Sequence, residues 1–172
     1  MISGEKIYLQ GVTKEDAPMI YKWVNREELR ALTGTLYPVS EFEHEGWMQK
    51  QVTSGDRKLF MICCRDSDRK IGTIGLRNFD WINRNAELFI SIGETEQYTS
   101  KGYGCDAVKT FVKYCFEHIN LHKVYLHVFE SNVRAIRCYE KAGFQKEGML
   151  QDHHFSGGAY EAVLVMSILS DC

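Results

Sequence analysis

No apolar run in the 172 residues approaches the roughly 18 needed for a membrane-spanning helix, and the N-terminus has no signal-peptide core. These absences argue against membrane placement and export, and predict a cytoplasmic protein. Cysteine occurs six times, at 63, 64, 105, 115, 138 and 172, yet never as a CxxC pair or at zinc-ligand spacing. Adjacent Cys63 and Cys64 stand in an apolar run and Cys115 on an apolar helix face, the setting of buried reduced thiols. An excess of one charge is also missing. The net −2 gives neither nucleic acid nor an anionic membrane a reason to bind. The first 56 residues hold nine acids against six Lys/Arg and the remainder 14 against 15, a mild asymmetry suited to solvated helix faces. Linkers, internal repeats and low-complexity segments are absent. With 44% hydrophobic and 26% charged residues, the chain is expected to form one soluble domain, 1–172, around one core.

Residues 5–12 read as a first strand. Thr13 and Asp16 form a capping pair with Pro18 in or just past the first turn, and Ile20, Trp23, Val24 and Leu29 continue a helical stripe to Gly34. Ser40 opens a second helix through Gln51, with Phe42, Trp47 and Met48 as its apolar contacts. Residues 58–64, 70–76 and 86–92 read as three antiparallel strands. Val108, Phe111, Val112, Cys115, Phe116 and Ile119 then recur at the spacing of one buried helix face. A strand over 122–129 follows, then a helix over 132–142 capped by Ser131 and ended by Gly143, and two last strands over 144–150 and 160–169 joined through Ser156-Gly157-Gly158. This order predicts an α+β domain: a mixed, mostly antiparallel sheet of about seven strands with about four helices on its faces.

Two glycines, Gly102 and Gly104, precede the strongest helix. They let several backbone N–H groups converge where the helix N-terminus adds partial positive charge, with Lys101 at the rim, which makes an anion site suited to a pyrophosphate. A plain turn has the same pattern. Gly102-x-Gly104-x-x-Ala107 also matches the dinucleotide fingerprint, and a nucleotide binder for NAD or ATP is the corresponding rival. That fingerprint requires the glycines directly after a strand in a βαβ unit; here nine residues, 93–101, intervene and the preceding strands read as antiparallel. No P-loop motif occurs. Further on, Asn132 and Tyr139 are seven residues apart, two helical turns, so they point from about the same face.

The run Tyr98-Thr-Ser-Lys-Gly-Tyr-Gly104 followed by Asn132-x-x-Ala135-x-x-x-Tyr139-x-Lys141-x-Gly143-Phe144 resembles the two cofactor motifs of the GCN5-related N-acetyltransferases, over about residues 86–168. The resemblance implies acetyl-CoA as co-substrate, without a metal, held at Thr99, Ser100, Lys101, Gly102, Tyr103 and Gly104. Thr99 stands where the family has Gln or Arg, and Ser100 where Gly is frequent, a loss that backbone amides would offset. It further implies that Asn132, Ala135 and Lys141 complete the cofactor site, and that Tyr139 protonates the departing thiolate, a task that suits a neutral phenol. A core aromatic is the plainer reading of Tyr139 alone. Phe89, Ile90, Ser91 and Ile92 would lie on a strand splayed by a bulge, pairing with pantetheine and offering an N–H, that of Ile90, to the thioester oxygen.

An ammonium cannot attack a thioester, so a base is expected. Glu87 opens the splayed strand and is the candidate, with a surface pairing to Arg84 or a lysine as its other reading. His127 reads as a core histidine, and His153-His154 lacks a third ligand. The acids Glu27, Glu28, Glu41, Glu43 and Glu45 suit a polycation, and the resemblance is strongest to spermidine and ribosomal-protein N-terminal acetyltransferases. The expected activity is therefore N-acetylation of a polyamine or a protein N-terminal α-amine by direct attack in a ternary complex. Amino-sugar or aminoglycoside acetylation and a non-catalytic acyl-CoA sensor remain as alternatives, and a homodimer through the C-terminal strands is compatible with the family. Ping-pong through Cys138 lacks a visible activating pair.

Overall fold

In a computed structural model, which describes residues 1–171, eight strands form one sheet in the order β1-β2-β3-β4-β5-β6-β8-β7. The strands are β1 (Ile2–Ser3), β2 (Ile7–Gly11), β3 (Lys58–Cys64), β4 (Lys70–Asp80), β5 (Asn85–Ile92), β6 (Lys123–Phe129), β7 (Gln145–Ser156) and β8 (Ala159–Leu169). Every pairing is antiparallel except β5 with β6. Helices α1 (Ala17–Val24), α2 (Glu27–Thr33) and α3 (Glu41–Thr53) join β2 to β3. A single turn α4 (Thr95–Tyr98) and the long α5 (Tyr103–Glu117) make the crossover from β5 to β6, and α6 (Val133–Lys141) leads to β7.

Strand alternation distributes the core. In β3, Ile62 and Cys64 face the cluster under α5 and α6, where Phe111 is fully buried, while Met61 and Cys63 face Ile20, Trp23 and Leu29 under α1 and α2. The sheet is thus covered on both sides. Each fully buried Phe, Ile or Leu contributes about 1.5–3 kcal/mol of burial, so the helix with the cleanest apolar face, α5, is the main clamp on the sheet. Cys63, Cys64 and Cys115 are buried free thiols, and Cys105 and Cys138 are half-buried; Cys172 lies outside the described residues.

Of the two helices beyond the expected four, α2 has a local cause. Asn25 ends the first helix: its side-chain amide donates to the carbonyls of Tyr21 (3.2 Å) and Val39 (3.0 Å) and its Oδ1 accepts from Val39 N–H (2.8 Å). Arg26 is then extended, and α2 restarts. The Thr13–Asp16 capping pair forms, with Thr13 N–H donating to Asp16 Oδ2 at 2.8 Å, but it opens a 3₁₀ turn before α1. Ser40 and Glu43 cap α3 reciprocally. Phe42 does not make the contact expected of it and is 86% exposed: α3 turns His44, Trp47, Met48 and Gln51 inward, an i, i+3, i+4, i+7 face that excludes position 42. The cap of α6 is Asn132 rather than Ser131, since Asn132 Oδ1 accepts from Ala135 N–H at 3.3 Å. The strand expected to end at residue 150 continues as β7 to Ser156, because Gly157 and Gly158, at φ +58° and +83°, supply the left-handed pair of a two-residue hairpin.

Candidate active site

Two strands that belong side by side separate at the centre of the sheet. β5 and β6 pair at Asn85/Lys123, Ala86/Val124 and Glu87/Tyr125, and nowhere beyond. Continuing that register would set Phe89 opposite His127, but no pairing occurs there. On its other edge β5 stays in unbroken register with β4 from Glu87 to Ile92. The bulge lies in β4, between Arg77 and Asp80, where Asn78 takes φ +54°, and not in β5 itself. Gly93 N–H donates to Ile71 on β4 at 2.8 Å, so two-residue alternation turns the N–H groups of Ile90 and Ile92 the other way, into the gap. The side chains of Ile90 and Ile92 pack on the α5 face, while Phe89 and Glu87 face α1–α3, with Arg77 over the Phe89 ring at 5.6 Å. Ser91 is half-buried on the same strand.

At one end of the gap is the N-terminus of α5. Thr99 ends α4, Ser100 sits at φ +62°, and Gly102 caps α5 at φ +89°, a conformation that favours glycine. Asp106 N–H closes the first helical bond onto Gly102 O at 2.9 Å, so the amides of Tyr103, Gly104 and Cys105 precede the helical ladder. A Cβ at Gly104 would meet nothing nearer than Ile92 at 3.6 Å. Asp106, an acid in this first turn, is engaged elsewhere: its carboxylate accepts from the backbone of Glu5, Lys6 and Ile7 at 3.3, 2.7 and 3.1 Å. That clamp brings up Lys6, whose Nζ donates to Lys101 O at 2.9 Å and lies 5.6 Å from the Tyr103 ring centre. Lys101 itself is exposed and Tyr103 rests edge-on against buried Tyr98 at 5.0 Å.

The other wall is α6. Asn132 spends its Oδ1 on the helix cap, and its Nδ2 makes no hydrogen bond to any described residue. Ala135 is half-buried and Lys141 exposed at the helix end. Tyr139 is 8% exposed and packs on Phe144, with ring centres 5.9 Å apart. Burial, helped by the neighbouring Cys138, pushes its phenol well above the ordinary value, so it stays protonated at any physiological pH. Burial and the nearby Cys105 likewise push the Cys138 thiol up to about 12, which leaves it without nucleophilic thiolate.

On the opposite face of the gap lies a charge cluster. Glu87 is 4% exposed, and three donors converge on it: Arg77 Nη2 (2.7 Å) and His127 Nδ1 (2.9 Å) on Oε1, Asn78 Nδ2 (2.8 Å) on Oε2. Burial disfavours its charge, but the bonds from Arg77 and His127 outweigh that and hold the carboxyl below its usual range. Arg84 is not its partner; that guanidinium bonds Asn120. His127 is not a core histidine: its side chain is 37% exposed. It borders two clefts. The larger, about 560 Å³, is lined by Arg57, Arg77, Glu87, His153 and His154 among others. His154 stacks on Phe129 with ring centres 4.0 Å apart. None of Glu27, Glu28, Glu41, Glu43 and Glu45 lines either cleft; Glu28 pairs with Arg26 and Glu43 caps α3.

Lys6, Arg77 and Asn78 were missed in the sequence because each arrives through a contact between distant segments: Lys6 through the Asp106 carboxylate, Arg77 and Asn78 through the pairing of β4 with β5. Only the parity of β6, with Leu126 and Val128 inward, hinted that His127 faces away from the core beside Glu87.

Residues 6–145 match the acetyltransferase (GNAT) domain model. The spermidine N(1)-acetyltransferase of Vibrio cholerae is 38% identical over 99 residues, 58% of this chain and 56% of that relative. The spermidine N(1)-acetyltransferase of Escherichia coli K12 is 27% identical over 168 residues, 98% of this chain and 88% of the relative. The crystal structure of the Vibrio cholerae enzyme in complex with CoA and spermine superposes with a TM-score of 0.86 at 28% identity, covering 95% of each chain.

Proposed function

Because the chain belongs to the GNAT acetyltransferase family and is an acetyl-CoA-dependent N-acetyltransferase, we propose that it works by direct attack of a primary amine on the thioester in a ternary complex. The observation that carries this reading is the parting of β5 from β6 beyond Glu87 and Tyr125, between the Gly102 turn and the Asn132–Tyr139 face. The residues present fit the co-substrate: the ladder-free amides at the head of α5, the unobstructed Gly104 and the ammonium of Lys6 suit a pyrophosphate, with Thr99, Ser100, Lys101, Gly102 and Tyr103 around it. Ile90 and Ile92 offer backbone groups to the pantetheine amides, flanked by Phe89 and Ser91, and the free Nδ2 of Asn132 donates to a pantetheine carbonyl beside Ala135 and Lys141. The N–H of Ile90 supports the thioester oxygen as it gains charge. Tyr139 donates its proton toward the departing sulfur. The buried, high-pKa Cys138 favours direct transfer over an acyl-cysteine route.

Polyamines are the first acceptors to test, since the relatives that match over nearly the whole chain include spermidine acetyltransferases. One observation favours a second reading, a peptide α-amine or an amino sugar: the larger cleft presents Arg57 and Arg77 and only one carboxylate, Glu87, already satisfied by three donors. We place the reaction in the cytoplasm. Self-association through the β7–β8 arm, which exposes Phe155 and Tyr160, belongs to the same proposal. Release of free thiol from acetyl-CoA against spermidine, spermine, peptides with free N-termini and amino sugars tests the acceptor. A polyamine preference supports the first reading and a peptide or amino-sugar preference the second. Tight CoA binding with no thiol release from any of them would instead support an acyl-CoA sensor.

A further inference from the structure

Resting on the transfer reading above, we infer that the proton of the incoming ammonium is taken by His127 Nε2, and that Glu87 is a positioning residue that acts through this histidine. The geometry separates the two roles. An ionised carboxylate only accepts hydrogen bonds, so the 2.9 Å contact between His127 Nδ1 and Glu87 Oε1 requires a proton on Nδ1, and in the neutral ring the lone pair is then on Nε2. No described residue bonds that second nitrogen. The ring borders both clefts, whereas Glu87 lines only the larger one, is 4% exposed, and is held by Arg77 and Asn78 as well. A carboxylate held by three donors is a weak base and a strong orienter, the arrangement by which a neighbouring acid fixes a histidine tautomer.

Position in the sheet supports the assignment. His127 is the β6 residue that Phe89 would pair with if the two strands stayed together, two residues beyond the last pair, Glu87/Tyr125, so it stands at the start of the gap. Its charged and titratable surroundings come from every neighbouring strand. Arg77 on β4 is directed at Glu87; on β6 itself Tyr125 lies edge-on at 6.0 Å, and Lys123 pairs with Glu147 of β7 at 2.6 Å. From β7 come His153 and His154, from the start of β3 Arg57, while β8 opposes the ring with Val165. Among the described residues Glu87 is therefore the one carboxylate hydrogen-bonded to the ring.

The protons balance. His127 takes one from the ammonium and returns it to solvent through the open cleft. The free amine forms the C–N bond as the C–S bond breaks. Tyr139 gives its proton to the sulfur and is re-protonated by the second proton, lost from nitrogen as the amide forms.

The test uses His127→Gln and Glu87→Gln in the full chain, with the best amine of the panel. His127→Gln is expected to lower kcat by roughly 10²–10⁴-fold near neutral pH, to abolish the acid limb of the pH–rate profile, and to leave CoA affinity and melting temperature near the parent's. Glu87→Gln is expected to lower kcat less, because the ring stays in place but is no longer held in the Nδ1–H tautomer. Imidazole nitrogen NMR gives a readout without turnover: the Nδ1–H tautomer in the parent, and loss of that preference in Glu87→Gln. If the parent turns over while His127→Gln keeps its rate and pH profile, or if the parent ring carries its proton on Nε2, the inference is overturned. A parent that acetylates no amine would contradict the transfer reading instead, and the tautomer measurement would still decide whether Glu87 orients His127.

Discussion

Glu87 of β5 and Tyr125 of β6 are the last residues that the two central strands pair, and beyond them the sheet opens. Past that point β5 keeps its register with β4 to Ile92 and β6 keeps its register with β8 to Phe129, so the sheet parts between these two pairs. Backbone donors of β5 that an intact sheet would satisfy are thereby left without a strand partner, at a place bounded by the α5 N-terminus, Asn132 and the Glu87–His127 pair.

Tyr139→Phe is expected to lower kcat by roughly 10- to 1000-fold, the contribution of one general acid, while the CoA dissociation constant stays near the parent's. Steady-state kinetics together with calorimetric titration of CoA measure both. The packing on Phe144 survives the change, so a fall in stability does not account for the lost rate.

Gly102→Ala and Gly104→Ala separate folding from binding. Gly102 is at φ +89°, so alanine there costs about 1–2 kcal/mol of stability. Gly104 lies inside the first turn of α5 with room for a Cβ, where alanine adds about 0.5–1 kcal/mol of helix propensity. If pyrophosphate approaches the Gly104 amide, Gly104→Ala raises the melting temperature slightly and weakens CoA by about tenfold or more, ~1.4 kcal/mol. Unchanged CoA affinity in this variant would remove the turn from the binding site.

Gly93→Ala is expected to destabilise by roughly 1–3 kcal/mol through overpacking. A Cβ there would come within 2.0 Å of the Trp23 ring, which is buried and tied to Glu94 by its indole N–H at 3.1 Å. Arg26, which donates to Gly93 O at 2.7 Å, would be displaced with it. Denaturant midpoints check this.

Acid stability depends on two buried carboxylates. Burial works against the charge of Asp16, yet the bonds from Lys70 and Thr13 hold its carboxyl below the usual value, as Arg77 and His127 do for Glu87. Both folded values are lowered, so the stabilisation is complete above the unfolded-state values near 4 and is lost as pH falls through the folded ones. Asp16→Asn is expected to cost roughly 3 kcal/mol near neutral pH, where Lys70 loses its partner, and progressively less below about pH 4. Urea unfolding across that range tests the sign; a cost independent of pH would contradict it.

Local signals account for what was legible in the sequence. The α5 face, the Thr13 and Ser40 capping boxes and the Gly102 turn are written in neighbouring residues, and Asn132 with Tyr139 in one helix. What escaped depends on contacts between distant segments. Asn25 ends α1 by reaching Val39, Asp106 draws Lys6 to the Gly102 turn across 100 residues of chain, and His127 meets Glu87 only because β5 and β6 run parallel. A histidine between two buried apolar residues reads as core until the sheet determines which side it faces.

The central claim, direct transfer at the β5–β6 gap, is tested most directly by initial rates over a matrix of acetyl-CoA and amine concentrations. The account predicts intersecting double-reciprocal lines, with N-acetylated amine and free CoA formed in equal amounts. Parallel lines, or an acetyl group trapped on Cys138 when the amine is withheld, would contradict it.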